Sequence, residues 1–199
     1  MKRVVDVIAA LMLALLMSPL VVLIAAAIRL ETSGSPLFAH TRIGYGRRRF
    51  RVWKFRTMVS DGDAILQRHL ADNLDAAWEW RTRHKLRNDP RVTRVGRLLR
   101  RTSLDELPQI WNVLLGEMSL VGPRPIVEEE LEKYGSAFTL YAQVSPGLTG
   151  LWQTSGRNDT SYRRRVELDS NYIRYWSPMM DLHILARTVQ VVLLGKGAY

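Results

Sequence analysis

Apolar residues occupy almost every position from Val4 to Ile28, and only Asp6, Ser18 and Pro19 interrupt the run. A helix of this length is enough to span the hydrocarbon core of a bilayer, which takes about 20 residues. The pattern is typical of a secretory signal, of a transmembrane anchor, or of a re-entrant hairpin that leaves on the side it entered. The signal fits least, because the run is long for a signal peptide.

Pro19 lies near the middle of this run and favours a break in the helix. Its ring removes one backbone hydrogen bond and clashes with the carbonyl four residues earlier, and Ser18 can donate its hydroxyl to a freed carbonyl. Lys2, Arg3 and Arg29 flank the run, which suits two ends lying in one anionic leaflet. These arguments leave both a kinked span and a hairpin open, because prolines also occur in spanning helices.

The remainder of the chain has mainly helical periodicity. Helical patterns cover residues 61–86, 92–101, 102–115, 126–134, 162–176 and 181–194. One basic and aromatic segment, residues 50–55, is predicted to be a short strand or to lie against the membrane interface. We therefore predict a re-entrant membrane element at 1–31 and a small cytoplasmic globular domain at 32–199, mostly α with minor strand content and with amphipathic helices along the membrane.

Charge and composition narrow the class of partner. The net charge is +10, and of the 29 Lys and Arg residues only 5 are Lys. Arginine forks bind phosphate oxygens in pairs, so the partner is expected to be rich in phosphate: nucleic acid, anionic lipid or a nucleotide. The chain has no cysteine, which excludes a disulfide scaffold, a cysteine-ligated zinc site and a cysteine nucleophile.

The segment from Ser103 to Pro108 contains two adjacent acids, Asp105 and Glu106. One interpretation is a capping box, in which Ser103 caps a helix and Glu106 reaches back to it. The other is catalytic: an ionised Asp beside arginines and a divalent ion can attack phosphorus. Adjacent acids point about 100° apart on a helix, so one would serve as nucleophile and the other as metal ligand.

Two arginines in stiff or glycine-containing loops are candidates for phosphate binding. Arg124 lies between two prolines, and Arg157 follows Gly156. Each is either a solvated surface residue or a side chain held in place to bind a phosphate with little entropy left to lose.

Several further stretches stand in a fixed order along the chain. They are the Ser18-Pro19 pair, KFRTM at 54–58, RRTSLDELPQ at 100–109, NVL at 112–114, GEMSLVGPRP at 116–125, PGLTGLWQ at 146–153 and GR at 156–157. Together they resemble the bacterial sugar transferases, the monotopic phosphoglycosyl transferases that initiate polysaccharide or glycoconjugate assembly on polyprenyl phosphate. The resemblance covers nearly the whole chain.

Within that family the chain is most similar to the undecaprenyl-phosphate galactose phosphotransferase branch. The stretches that carry this similarity are LRNDPRVT at 86–93, LWQ at 151–153, RNDT at 157–160 and GKGAY at 195–199. Members of that branch often carry extra N-terminal transmembrane helices and a soluble domain, so the chain is expected to be a short natural member or a catalytic fragment. Galactose and glucose are the sugars that the resemblance favours, and a homodimer is left open.

The resemblance also implies a mechanism. Asp105 would attack the sugar-bearing phosphate of a UDP-sugar and release UMP, and undecaprenyl phosphate would then take the phosphosugar from the aspartyl intermediate. Mg²⁺ would be held by Asp105 and Glu106, with Arg100 supporting the pair. The substrate-binding positions carried over are Lys54, Arg56, Arg124, Arg157 and Asp169.

The same resemblance selects the hairpin at Ser18 and Pro19 over a span. It implies a monotopic protein on the cytoplasmic face of the bacterial inner membrane, in contact with anionic lipids and not with nucleic acid. Two alternatives remain. A non-catalytic surface scaffold would bind anionic lipid or nucleic acid through its arginines and would not need Asp105, and a polytopic transferase would need many spans where this sequence has one apolar run.

Overall fold

Helices make up most of the chain in a computed structural model that describes residues 1–83, 86–156 and 160–194. The helices are α1 (Lys2–Glu31), α2 (Gly62–Asp72), α3 (Leu74–Arg83), α4 (Arg94–Thr102), α5 (Gln109–Leu115), α6 (Leu131–Tyr134), α7 (Ala137–Tyr141), α8 (Tyr162–Tyr175) and α9 (Pro178–Leu194). The strands are β1 (Leu37–Ile43), β2 (Arg49–Phe55), β3 (Ser119–Val121) and β4 (Gly147–Thr149). The prediction of a mostly helical domain with minor strand content is confirmed.

The predicted elements differ from the observed ones mainly at their edges. The helical pattern at 102–115 becomes a single 3₁₀ turn, Leu104–Glu106, followed by α5, and the pattern at 126–134 begins as the 3₁₀ turn Glu128–Glu130 before α6. The segment at 50–55 is a strand, and it pairs with β1, which the sequence did not predict. Most side chains of β1 are exposed, so its sequence lacks the alternation of a half-buried strand.

The apolar run forms one helix, α1, that continues through Ser18 and Pro19, so a hairpin turn at this point is not confirmed. The predicted back-bond is present: Ser18 Oγ donates to the carbonyl of Leu15 at 2.9 Å. That carbonyl is the one that an N–H at position 19 would have satisfied, and Pro19 has none. Within the described residues, α1 is the one helix long and apolar enough to cross a membrane.

The N-terminal end of α1 is bonded to the globular domain. Arg3 Nη1 donates to the carbonyl of Val113 at 2.6 Å, near the end of α5. The carboxylate of Asp6, 6% exposed, accepts a hydrogen bond from Ser119 Oγ at 2.8 Å. Lys2 forms an ion pair with Asp181 at the start of α9.

The C-terminal end of α1 is bonded to the same domain. Glu31 accepts hydrogen bonds from the first amides of α4, those of Arg94 at 2.7 Å and Val95 at 3.0 Å. The following residue, Thr32, accepts a hydrogen bond from Arg56 Nη2 at 2.9 Å. Both ends of the helix are therefore fixed to one globular body.

One face of α1 completes the core of that body. Ala10 is fully buried in the main cluster together with Val52 of β2, Val113 of α5 and Ile184 of α9. Nearer the C-terminus, Ile24 packs in a second cluster against β2 and α4. The opposite face of α1 exposes large apolar side chains: Val4, Val5, Ile8, Leu11, Met12, Leu15, Leu16, Val22, Leu23 and Leu30.

Candidate active site

The hairpin of β1 and β2 supplies one wall of the site. The two strands are antiparallel, with Phe38 opposite Lys54 and Arg42 opposite Phe50. Cross-strand partners project from the same face of a sheet, and residues two apart share that face. Lys54, Arg42 and His40 therefore belong to one face of the hairpin.

The two acids lie on the turn between α4 and α5. Ser103 ends α4 in the left-handed conformation, with φ 57°, and the 3₁₀ turn that follows holds Asp105 and Glu106. The Ser103 side chain makes no cap hydrogen bond, so the capping-box interpretation is wrong. The left-handed residue breaks the helix, and the acids consequently sit on a tight turn instead of within a helix.

Lys54 reaches across from β2 to both acids. Its Nζ lies 2.6 Å from Glu106 Oε1 and 3.9 Å from Asp105 Oδ2. Arg100, on the last turn of α4, donates from Nε to Thr57 Oγ1 at 2.9 Å, just beyond the end of β2. The two cations come from different elements and flank the same carboxyl group.

Burial raises the pKa of Asp105 to about 6, and the charges of Lys54 and Arg100 oppose that rise while Glu106 adds to it. The Asp105 side chain is only 15% exposed. At neutral pH it is therefore ionised yet poorly hydrated. A carboxylate in that condition is a better nucleophile than one surrounded by water.

A cleft opens beside Glu106. Its polar lining consists of Arg42, Lys54, Glu106, Gln109, Arg124 and Gln153. Three cationic side chains thus face one carboxylate, a balance that suits an anionic ligand with several phosphate oxygens. Gln153 Oε1 is buried without a hydrogen-bond partner, which leaves an acceptor for a ligand donor.

The loop that carries Arg124 is held by close backbone packing between β3 and β4. A Cβ at Gly147 would lie 2.1 Å from the backbone nitrogen of Gly122, so only glycine permits this approach. Arg124 also stacks over the Trp152 ring, with 5.6 Å from its guanidinium carbon to the ring centroid. The predicted rigidity of this loop has its physical basis in those contacts.

Asp169 lies behind that loop, 1% exposed, and not in the lining of the cleft. It accepts a hydrogen bond from the Tyr134 hydroxyl at 2.7 Å. Burial raises its pKa to about 7, against the lowering effects of Tyr134, Arg124 and Arg165. The structure thus places this acid where it supports Arg124 from the core.

Of the remaining predicted substrate-binding residues, two line the cleft, one lies outside its lining, and one is outside the described residues. Arg56 lies outside the cleft lining and holds the segment after α1, through Thr32 and through Ser60 Oγ at 3.1 Å. Arg157 lies outside the described residues. Lys54 and Arg124 are the two predicted positions that line the cleft.

Sequence reasoning did not single out Arg42, Gln109 or Gln153. Arg42 belongs to none of the motifs named above, and the pairing that brings it to the same face as Lys54 joins strands whose register cannot be seen in the sequence. Both glutamines are the last residues of motifs that carried the resemblance, RRTSLDELPQ at 100–109 and PGLTGLWQ at 146–153, which was the one available signal.

Among the described residues, no group of three or more His, Asp or Glu side chains is arranged to hold a metal ion. Asp105 and Glu106 nevertheless fit Mg²⁺. This ion keeps several waters and is held by one or two carboxylates together with substrate phosphates, not by an all-protein cage.

The chain was compared with known proteins. The family model of the bacterial sugar transferases matches residues 1–195. The chain is 52% identical over 198 residues to the exopolysaccharide production protein ExoY of Rhizobium meliloti, a match covering 100% of this chain and 88% of that protein.

Two further relatives carry names that describe a reaction. The undecaprenyl-phosphate galactose phosphotransferase of Salmonella typhimurium is 45% identical over 199 residues, 100% of this chain and 42% of that protein. The UDP-glucose:undecaprenyl-phosphate glucose-1-phosphate transferase of Caulobacter vibrioides is 44% identical over 208 residues, 100% of this chain and 72% of that protein.

Proposed function

The chain belongs to the bacterial sugar transferase family, and from that premise we propose that it is a phosphoglycosyl transferase. It moves a sugar-1-phosphate, with galactose or glucose as the sugar, from a UDP-sugar to undecaprenyl phosphate and releases UMP. This reaction is the first membrane step of polysaccharide or glycoconjugate assembly. The names of the relatives support the acceptor and the class of transferred group.

The observation that supports this function most is the surroundings of Asp105. A buried carboxylate with a pKa of about 6 lies next to Lys54 and Arg100, at the edge of a cleft lined by cations. A purely structural acid has no need of a neighbouring cleft lined by cations. The combination suits nucleophilic attack on a phosphorus whose oxygens are held by positive charge.

The reaction proceeds in two displacements. A carboxylate oxygen of Asp105 attacks the phosphorus that carries the sugar, the bond from that phosphorus to the bridging oxygen breaks, and UMP leaves with the electron pair. An oxygen of undecaprenyl phosphate then attacks the same phosphorus, and the Asp105 carboxylate leaves. Lys54 and Arg124 bind the phosphate oxygens in both steps, and Arg100 keeps Asp105 ionised.

Asp105 and Glu106 are the side chains that would hold Mg²⁺. When bound there, the ion would offset negative charge on the phosphate oxygens. Glu106 also keeps the Lys54 ammonium at the cleft, 2.6 Å from its carboxylate oxygen.

Apolar surface supports a position on the cytoplasmic face of the inner membrane. Besides the exposed face of α1, helix α9 exposes Met179, Leu182 and Val189, and α5 exposes Trp111 and Leu115. Large exposed apolar surface is typical of membrane contact. Both ends of α1 are bonded to the catalytic body, which favours a monotopic arrangement with both ends on one side.

The test is UMP release by Asp105→Asn, which keeps the side-chain shape and removes the nucleophile. We expect turnover to fall by a factor of at least about a thousand, with a thermal unfolding midpoint no lower than that of the parent protein. Asp75→Asn, the same change at an exposed position of α3, is the matched control and should keep full activity. Substantial UMP release by Asp105→Asn would overturn the nucleophile assignment. No UMP release by the parent protein from any UDP-sugar would favour the non-catalytic scaffold.

The order of events gives a second measurement. With UDP-sugar alone, UMP should appear in an amount no larger than the enzyme present, because each Asp105 can react once. If the first UMP required undecaprenyl phosphate, transfer would occur directly in a ternary complex.

A further inference from the structure

Arg42 stands at the junction of two cavities. It lines the cleft beside Glu106 together with Lys54 and Arg124. It also lines a second cavity, between β1 and the 3₁₀ turn Glu128–Glu130, with His40 among its walls. No motif drew attention to Arg42, and it is one of three cations in the cleft lining.

Arg42 is a poorly hydrated cation with a loose ion pair. Its side chain is 16% exposed, and the carboxylate oxygen of Glu130 lies 3.8 Å from Nη1. Burial and the charge of Arg124 lower the pKa of Arg42, and the charges of Glu130 and Glu106 oppose that lowering. Arg42 and Arg124 line the same cleft, so an anion bound there would offset the repulsion between their charges.

Among the described residues, Arg42 forms no short, paired hydrogen bond with a carboxylate. Glu130 Oε2 also accepts a hydrogen bond from the Val127 amide at 3.0 Å. A second contact of the guanidinium is with His40 Nδ1 at 3.3 Å, and burial lowers the pKa of that ring. A structural arginine would form a short, paired hydrogen bond with a carboxylate, as Arg91 does with Asp89 at 2.7 Å.

We infer that Arg42 is a substrate-binding residue, which together with Arg124 binds a phosphate group of one of the two substrates in the cleft. The inference rests on the proposed function for the identity of the ligand. The phosphate would share the cleft with Lys54 and Glu106. The phosphate belongs either to the diphosphate of the UDP-sugar or to undecaprenyl phosphate.

Kinetics of Arg42→Gln distinguish the two sources. Loss of a charge-assisted hydrogen-bond pair to phosphate should raise the KM of the substrate concerned about 10- to 100-fold. A higher KM for UDP-sugar assigns the donor diphosphate, and a higher KM for undecaprenyl phosphate assigns the lipid. Arg48→Gln is the matched control, because Arg48 is exposed on the same hairpin and loses the same charge.

Binding of inorganic diphosphate gives a readout that does not depend on turnover. It should raise the thermal unfolding midpoint of the parent protein and of Arg48→Gln, and should do so far less for Arg42→Gln. KM values and diphosphate binding equal to those of Arg48→Gln would overturn the inference, as would a loss confined to kcat with a lower unfolding midpoint. Failure of the proposed function would differ: the parent protein would bind diphosphate but release no UMP from any UDP-sugar.

Discussion

Replacing Asp169 with Asn should change how stability depends on pH. Burial raises the pKa of Asp169 from its ordinary value of 3.8 to about 7 in the folded protein. Below pH 3.8 the folded and unfolded states are both protonated. Between pH 3.8 and about pH 7, Asp169 holds a proton in the folded state that it has released in the unfolded state. The free energy of unfolding therefore falls as pH rises through this range, and it becomes level above about pH 7.

The size of this effect follows from the two pKa values. A tenfold difference in proton affinity corresponds to about 1.4 kcal/mol, so Asp169 lowers stability by up to about 4 kcal/mol between acid and neutral pH. In a protein of this size that is roughly 10 °C in the unfolding midpoint. Asn cannot ionise, so the midpoint of Asp169→Asn relative to the parent should rise by about that amount between pH 4.5 and pH 8.

The assay is thermal unfolding of detergent-solubilised parent, Asp169→Asn and Asp75→Asn across that pH range. Taking differences between proteins cancels the titration of all other groups, including Asp105. Tyr134→Phe removes the hydrogen bond that lowers the pKa of Asp169, so it should move the transition to higher pH. Parallel pH profiles for parent and Asp169→Asn would refute the argument that this carboxyl is buried without adequate compensation.

Three other tests concern the packing of α4, the hydrogen bonds at its start, and the side of the membrane on which the two ends of α1 lie. Gly96→Ala would bring a Cβ to 2.1 Å from the carbonyl oxygen of Thr57, so α4 must shift. We expect the free energy of unfolding to fall by about 1 to 3 kcal/mol and kcat to fall as well. An unchanged kcat would contradict the view that α4 positions the site. Glu31→Gln weakens the hydrogen bonds to two amides at the start of α4. The free energy of unfolding should fall by about 1 kcal/mol, measured as a lower unfolding midpoint. An unchanged midpoint would mean that solvent replaces these hydrogen bonds. Single cysteines at Lys2 and Glu31 should both be labelled by an impermeant reagent from the cytoplasmic side only, because both ends of α1 are bonded to the same body. Labelling on opposite sides would establish a span.

The sequence predicted most of the helices and the acidic pair because these depend on local pattern. Helical periodicity at 162–176 and the two acids at Asp105 and Glu106 are visible within a few residues of chain. The capping-box interpretation was wrong for a reason that local pattern does not reveal: Ser103 adopts the left-handed conformation, with φ 57°, and its side chain makes no cap hydrogen bond to the 3₁₀ turn that it precedes.

The cleft was harder to predict because it is assembled from distant segments. Arg42, Lys54, Glu106 and Arg124 come from two strands, a turn and a loop. Strand register decides which side chains share a face, and β1 is too exposed to show that register as an alternating pattern. A motif resemblance identified Lys54 and Arg124, whereas Arg42 lines the same cleft only as a result of the fold.

The way α1 completes the core has a consequence for how the protein is made. Ala10 and Ile24 are buried against strands and helices that are synthesised later, and Ser119, which donates a hydrogen bond to Asp6, is also synthesised later. Since α1 leaves the ribosome before the rest of this chain, the globular body must fold onto a helix that is already synthesised. A body synthesised without α1 would expose the apolar surface that α1 covers.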